Sequence, residues 1–261
     1  MKSALLSLSR RRLLSGLLAG SLPSLGAVAA QTSRANRASP AARDPLVYAV
    51  AQPRTPSAQP PALFLMHGYG ADENDLLDVG KSLPPEWLIV SFRAPYANDG
   101  GGYRWYDHRT VDGLTDGNPD QLLASEHAVL DGIASVAKQY GIDPHRVFIG
   151  GFSQGAVLTY LLALSHPERF RGAVVLSGAI LPSELPLLQS QPGFDRRARI
   201  PMFVGHGTAD TTIPFPLADA ASMYLSRWHV PVTFHRYPGM GHAIDSAELA
   251  DLDAWLAPLS R

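Results

Sequence analysis

The sequence predicts an α/β protein with a mostly parallel central sheet and helices on both faces of that sheet. Short apolar runs alternate with helical patterns from about residue 46 onward, as they do in successive βα units. Several of these runs are continuously apolar, which is typical of strands covered on both faces. A length of 261 residues with 46% hydrophobic residues favours one sizeable globular domain.

Seven short apolar runs are predicted to be strands and four periodic segments are predicted to be helices. The longest helical segment carries one apolar stripe, with Asp120 in its first turn and Gly141 after its end, both favourable placements. The predicted strands are 47–50, 63–66, 88–92, 147–149, 173–176, 201–204 and 232–235, and the predicted helices are 119–140, 153–165, 215–229 and 247–259.

Two stretches, 98–118 and 181–199, show neither the pattern of a strand nor that of a helix. We predict long loops there. Long loops inside a compact domain are often functional, and open α/β sheets bind ligands at the carboxyl ends of their strands. We therefore expect both stretches to lie near a functional site.

The N-terminus differs in composition from the rest of the chain. Lys2 and the run Arg10, Arg11 and Arg12 precede a mildly apolar stretch, 13–25, and then small residues at 27–29. This is the layout of a cleavable secretory signal, and the paired arginines resemble a twin-arginine signal; the general secretory route and an amphipathic N-terminal helix stay open as alternatives. We expect residues 1–30 to be an export signal, 31–45 a flexible tether and 46–261 the α/β domain, located in the periplasm or secreted.

Composition argues against several function classes. The formal net charge is −1 and no basic stripe is present, so nucleic acid is not an expected partner. The chain has no cysteine, which removes disulfides, thiolate metal ligands and cysteine nucleophiles. The apolar stretch 13–25 is too short and interrupted for stable membrane insertion. No histidine pair has metal-ligand spacing, so no metal is expected.

The central motif is Gly-Phe-Ser-Gln-Gly at 151–155, between a predicted strand and a predicted helix. A serine in that setting lies on a sharp strand-to-helix turn, and the flanking glycines leave room where side chains would collide. The helix N-terminus behind it favours developing negative charge. We interpret Ser153 as a nucleophile; an ordinary tight turn is the alternative.

A serine nucleophile needs a histidine base that a carboxylate orients. Asp210 follows the strand 201–204 and His242 follows the strand that begins at 232, so both lie at strand ends, in the chain order Ser, Asp, His typical of this arrangement. His206 is the rival base, and we interpret it as structural. A turn carboxylate and a surface-loop histidine are the alternatives for Asp210 and His242.

The oxyanion of an acyl-transfer reaction needs backbone N–H donors held in place beforehand. One is expected from Gln154, directly after the nucleophile, and the second from the loop after an early strand, where Tyr69 in His-Gly-Tyr-Gly is the best candidate. For the Tyr69 loop, the alternative is a glycine-rich turn that is needed only to bend the backbone.

Six blocks of sequence, taken in order, resemble the bacterial phospholipase/carboxylesterase family, which includes the acyl-protein thioesterases. The resemblance covers the chain from about residue 46 to its end, and only the complete series is specific to the family. The blocks are HGYGADENDL (67–76), APYANDGGGYRWYD (94–107), GFSQG (151–155), HPERFRGAVVLSG (166–178), GHGTADTTIP (205–214) and GMGH (239–242).

The resemblance implies one α/β-hydrolase domain without metal or cofactor that hydrolyses short- to medium-chain acyl esters of small molecules through an acyl-enzyme. By it, Ser153, Asp210 and His242 form a catalytic triad, and Tyr69 and Gln154 lend the oxyanion amides. Two features depart from the family: Tyr69 stands where many relatives have leucine, and an export signal is unusual there. Two other readings stay open, an esterase acting on extracellular polymers and a catalytically silent ligand-binding protein of the same fold. The sequence does not indicate the oligomeric state.

Trp105, inside the first long loop, is predicted to line the acyl site, with packing of its own loop against the core as the alternative. The leucines of the second loop either form the floor of the same cleft or anchor their loop. They are Leu181, Leu185, Leu187 and Leu188.

Overall fold

The structure is a computed structural model, and it describes residues 45–56, 58–190 and 199–259. The predicted export signal and all but the last residue of the predicted tether lie outside these ranges and stay predictions. In the described part of the chain, no helix combines the length and the apolar character that crossing a membrane requires.

A seven-stranded sheet forms the centre of the domain, in the order β1-β3-β2-β8-β9-β10-β11. The edge strand β1 is antiparallel to β3, and every other neighbouring pair is parallel. The strands of this sheet are β1 Tyr48–Ala51, β2 Ala62–Met66, β3 Leu88–Phe92, β8 Val147–Phe152, β9 Gly172–Leu176, β10 Met202–Gly207 and β11 Val232–Tyr237.

Helices cover both faces of the sheet because the side chains of each buried strand alternate between two apolar cores. In β2, Phe64 and Met66 belong to one core, whereas Leu63 and Leu65 belong to the other, and all four are fully buried. The first core contains residues of α2 to α5, and the second contains residues of α1 and α6. The helices are α1 Val79–Ser82, α2 Pro119–Tyr140, α3 Gln154–Ser165, α4 Glu184–Ser190, α5 Phe215–Arg227 and α6 Ser246–Leu256.

Local sequence explains where the longest helix begins and ends. Asn118 caps α2 with its side chain, which accepts hydrogen bonds from the amides of Asp120 and Gln121, and Pro119 occupies the first turn. Gly141 ends the helix in the left-handed conformation, with φ of 65°. The bounds predicted from the apolar stripe, 119–140, are therefore the observed ones.

The predicted fold is confirmed, with strands at all seven predicted positions, while two predicted loops contain regular structure. The first contains a hairpin of β6 His108–Val111 with β7 Leu114–Gly117, and also β5 Tyr103–Arg104, which pairs with β4 Tyr96–Ala97 just before the loop. The second holds α4. Strands as short as two residues carry no readable alternation, which explains why the sequence did not indicate the pairing of β4 with β5.

Candidate active site

Ser153 lies at the turn between β8 and α3 in a backbone conformation that L-residues rarely adopt. Its φ is 55° and its ψ is −117°. The Ser153 amide donates to the Leu176 carbonyl oxygen at 3.0 Å, which fixes this turn against strand β9. A side chain at Gly151 would overlap the backbone of Gly155, and one at Gly155 would overlap the carbonyl of Met66. The glycines thus permit the turn, and the turn presents the serine hydroxyl at the carboxyl end of β8.

His242 and Asp210 complete a chain of hydrogen bonds with this serine. Ser153 Oγ lies 2.8 Å from His242 Nε2, and His242 Nδ1 lies 2.7 Å from Asp210 Oδ2. Because the carboxylate can only accept, Nδ1 carries the ring proton and Nε2 is free to accept the serine proton. The three residues follow β8, β10 and β11, so the parallel sheet brings together groups that are far apart in sequence.

Three groups hold Asp210: two backbone amides that follow it in sequence, and His242. Asp210 Oδ1 accepts hydrogen bonds from the amides of Thr212 and Ile213, each at 2.9 Å, while Oδ2 faces His242. The side chain is fully buried. A buried carboxylate with these partners is oriented toward the imidazole and compensated for its loss of water.

His206 lies near the same carboxylate but, within the described part of the chain, forms no hydrogen bond with the serine. Its Nε2 donates to the Ile213 carbonyl oxygen at 2.8 Å and lies 3.4 Å from Asp210 Oδ2. Burial lowers the pKa of His206, which favours the neutral ring. The structure therefore brings His206 next to the acid, in a position to support Asp210.

Gln154 directly follows this serine and Tyr69 lines the same cleft, and the amides of both residues donate to no acceptor within the described part of the chain. Gln154 is the first residue of α3, where amides have no intrahelical acceptor and the helix dipole is positive. Gly68, which precedes Tyr69, lies in contact with Ser153: a side chain there would meet Ser153 Cβ at 3.4 Å. This pair of free amides can receive an oxyanion.

A cleft of about 320 Å³ opens beside Ser153, and the side chains around it are mainly apolar or aromatic. Among the residues that the structure describes, the lining contains no lysine, arginine, aspartate or glutamate. Burial also lowers the pKa of His108, the residue of the lining that could become cationic. The lining consists of Tyr69, Tyr106, His108, Thr115, Ser153, Gln154, Val157, Ala179, Leu181, Thr212, Ile213, Pro214 and Leu217.

The prediction that Trp105 lines the acyl site is wrong. Trp105 is fully buried and is absent from the cleft lining, because its indole packs against His67 and donates to the His67 carbonyl oxygen at 2.9 Å. The next residue, Tyr106, lies against the cleft instead. The alternative, a tryptophan that packs its own loop against the core, describes what is found.

Of the four leucines of the second loop, only Leu181 lies among the cleft-lining residues. Leu188 is fully buried in the first core, and Leu185 and Leu187 pack against that core. Three of the four therefore anchor their segment, which is the helix α4, and the fourth belongs to the cleft.

Several cleft residues were not anticipated from the sequence. Tyr106 and His108 follow Trp105 directly, and residues 212–214 follow Asp210, so each group lies next to a residue that was singled out. Leu217 lies in the first turn of α5, just beyond them. The sequence signal that could have identified these cleft residues was their nearness to Trp105 or to Asp210.

The chain matches the family described as phospholipase/carboxylesterase over residues 47–260. Carboxylesterase SOBER1 of Arabidopsis thaliana is 30% identical over 178 residues, which is 65% of this chain and 75% of that protein. An acyl-protein thioesterase 1 of Cryptococcus neoformans is 27% identical over 218 residues, which is 74% of this chain and 90% of that protein.

A solved structure shows the same architecture. The crystal structure of a carboxylesterase from Mesorhizobium loti superposes with a TM-score of 0.68 at 28% sequence identity, covering 81% of this chain and 94% of that one.

Proposed function

Because this chain belongs to the phospholipase/carboxylesterase family and is a carboxylic-ester hydrolase, we propose that Ser153, His242 and Asp210 are its catalytic triad and that it cleaves short- to medium-chain acyl esters through an acyl-enzyme. The observation that carries the proposal is the continuous hydrogen-bond chain from Ser153 Oγ through the imidazole to Asp210. It begins on a serine whose strained backbone projects the hydroxyl into a cleft.

The first step is attack on the ester carbonyl carbon. As Ser153 Oγ forms its bond to that carbon, its proton moves to His242 Nε2, and the carbonyl π electrons move to the oxygen. Asp210 stabilises the resulting imidazolium through its bond to Nδ1. The amides of Tyr69 and Gln154 stabilise the oxyanion, an interaction that is stronger in the transition state than with the neutral ester.

Collapse of this intermediate breaks the bond to the alcohol. His242 Nε2–H protonates the departing alkoxide, leaving the acyl group on Ser153. Water then attacks the acyl carbon, with His242 again taking its proton, and the acid is released as Ser153 is reprotonated. No step requires a group other than these side chains, the two amides and water.

The size and chemistry of the cleft support an uncharged acyl group of limited length. Ligand cavities for small molecules span about 300–1,000 Å³, and the cleft of about 320 Å³ lies at the lower end of that range. Its lining, within residues 45–56, 58–190 and 199–259, offers no fixed charge that would compensate a charged acyl group. These features favour neutral esters whose acyl chains are short enough to be enclosed.

Replacement of the nucleophile tests the proposal. We expect Ser153→Ala to lower kcat on p-nitrophenyl butyrate by roughly 10⁴-fold or more, because triad members act as a unit. Ser222→Ala is the matched control and should keep wild-type kcat, since this hydroxyl lies in α5 and donates to the Asp219 carbonyl within its own helix. A wild-type chain that neither hydrolyses the ester nor is labelled at Ser153 by a fluorophosphonate would instead be a silent binding protein.

A further inference from the structure

The direction of the Tyr69 amide is set by the peptide unit that it shares with Gly68. The N–H of Tyr69 and the C=O of Gly68 lie in one plane and point in opposite directions, because a trans peptide bond does not rotate freely. Any group that holds the Gly68 oxygen therefore also aims the Tyr69 N–H. Under the proposed function, that N–H must point at the developing oxyanion.

The side chain of His67 makes the shorter of two contacts to this oxygen; the Ala71 amide donates to it at 3.3 Å. The Ala94 amide donates to His67 Nε2 at 3.1 Å, so the ring proton is on Nδ1, and Nδ1 lies 2.7 Å from the Gly68 oxygen. Nδ1–H is thus the donor in that contact. His67 is fully buried, and burial lowers its pKa, so the neutral ring with this arrangement of proton and lone pair is the favoured form.

Trp105 supports His67 from the other side. Its Nε1–H donates to the His67 carbonyl oxygen at 2.9 Å, and the two rings lie 5.5 Å apart between centroids. The Trp105 amide donates to Gln154 Oε1 at 2.7 Å, while the Trp105 carbonyl accepts from Ser125 Oγ of helix α2 at 2.6 Å. One buried residue therefore joins both amide-bearing segments to a rigid helix.

We propose that His67 is a positioning residue of the oxyanion hole, which aims the Tyr69 amide by holding the Gly68 carbonyl, and that Trp105 keeps His67 in place. The inference rests on the proposed function. Neither side chain is among the residues that line the cleft, so both act through the backbone that they hold. Their contribution is realised when charge develops on the substrate oxygen.

Two substitutions at His67 separate positioning from packing. Asn places an amide N–H close to where Nδ1–H stands, whereas Leu fills similar space without a donor. We expect His67→Leu to lower kcat on p-nitrophenyl butyrate by about 10²-fold with little change in KM, the size typical of a lost oxyanion donor. His67→Asn should recover most of that loss.

A second readout reports on the oxyanion directly. A trifluoromethyl ketone adds to Ser153 and forms a hemiketal oxyanion, so its inhibition constant should rise in His67→Leu by the same factor by which kcat/KM falls. Leu252→Ala, in the core on the opposite face of the sheet, is the stability control: it should lower Tm while leaving both constants unchanged at 25 °C.

Trp105→Phe provides an independent arm if His67→Leu does not fold. Trp87 is its matched control, since Trp87 is also buried but its Nε1–H has no acceptor among the described residues. Trp105→Phe should lower kcat and raise the inhibition constant of the trifluoromethyl ketone. Trp87→Phe should change neither quantity. Any one of three results would overturn the proposal: the two tryptophan variants have equal effects, His67→Leu keeps wild-type kcat, or His67→Asn recovers none of the lost kcat. Absence of Ser153-dependent hydrolysis in the wild type would instead refute the proposed function.

Discussion

Two histidines lie within 3.4 Å of one oxygen of Asp210, and only one of them is bonded to the serine. His242 uses both ring nitrogens in the chain from Ser153 to Asp210, whereas His206 uses Nε2 toward the Ile213 carbonyl. His206 Nδ1 is buried without a partner among the described residues. Under the proposed function, we expect His242 to carry the proton and His206 to support the acid.

Alanine at each position distinguishes these tasks. We expect His242→Ala to lower kcat by roughly 10⁴-fold or more, since the unassisted hydroxyl barely attacks. His206→Ala should lower Tm and change kcat much less, because the Thr212 and Ile213 amides still hold Asp210. Steady-state kinetics beside thermal unfolding measures both, and the reverse ranking of the kcat values would contradict the assignment.

Glu248, in the first turn of α6, is fully buried and neither carboxyl oxygen has a partner among the described residues. Burial, together with the nearby Asp245 and Asp251, raises its pKa to about 8. A side chain at Gly205 of β10 would overlap this carboxyl group. The absence of a side chain at Gly205 therefore makes room for the Glu248 carboxyl group against the strand. The protonated, neutral form of Glu248 is therefore the form that the folded protein favours.

The raised pKa makes Glu248 a source of alkaline instability. Between its ordinary value and pH 8 the folded chain holds a proton that the unfolded chain has released, so this group's contribution to the free energy of unfolding falls as pH rises through that window. Glu248→Gln removes the dependence. We expect the Tm of the variant minus that of the wild type to become more positive from pH 5 to pH 8. A difference that is constant or shrinks with pH would show that Glu248 is ionised in the fold.

The residues whose chemistry depends on chain order were predictable, and those whose role depends on packing were not. Ser153, Asp210 and His242 follow strands in a recognisable order, so the sequence indicated that they meet. Trp105 gives no such signal: an indole in an aromatic, glycine-rich loop is equally suited to a cleft wall and to a buried support. The outcome depended on the hydrogen bonds to His67 and Gln154, across 38 and 49 residues of sequence.

At the scale of elements, the turn between β8 and α3 is closely packed. Gly155 belongs to the helix α3, where alanine would favour the helix by about 1 kcal/mol relative to glycine. A methyl group at this position would however overlap the Met66 and His67 carbonyl groups at the end of β2. The backbone cannot yield there without moving the nucleophile, so the steric term exceeds the helix propensity.

We accordingly expect Gly155→Ala to lower Tm by several degrees and to abolish most of the esterase activity, despite its better helix propensity. Gly100→Ala is the control, since a side chain at Gly100 meets nothing within 4 Å. Thermal unfolding and p-nitrophenyl butyrate hydrolysis measure the pair. A Gly155→Ala chain with wild-type kcat would mean that the turn has more room than its contacts indicate.

Element bounds were most predictable where one strong local signal marks each end. Asn118, Pro119 and Gly141 delimit α2, and the long apolar stripe between them leaves one register. Strands β8 and β10 extend three residues further than predicted, to Phe152 and Gly207, because their last residues include glycines that carry no apolar signal. Pairing with neighbouring strands, which the sequence does not display, continues the ladder through them.

For the whole molecule, the enclosed volume beside Ser153 limits the substrate. Each additional buried CH₂ stabilises the complex by about 0.8 kcal/mol until the cleft is full, which corresponds to roughly fourfold in kcat/KM. We expect kcat/KM on soluble p-nitrophenyl esters to rise from acetate to butyrate or octanoate and to fall for palmitate. Emulsified triglyceride should be a poor substrate. A continued rise through palmitate, with activation at a lipid interface, would indicate an open groove.

The strand order also determines when during folding the molecule becomes reactive. The proposed nucleophile, Ser153, follows a central strand, β8, whereas the proposed base, His242, follows the edge strand β11, 89 residues further along the chain. Contacts so distant in sequence form slowly, because closing a long loop costs entropy before any contact compensates it. Intermediates that lack a docked β11 present a serine hydroxyl without a base and remain inert toward esters. Recovery of activity in a refolding reaction thus reports the attachment of the last strand, rather than the collapse of the core.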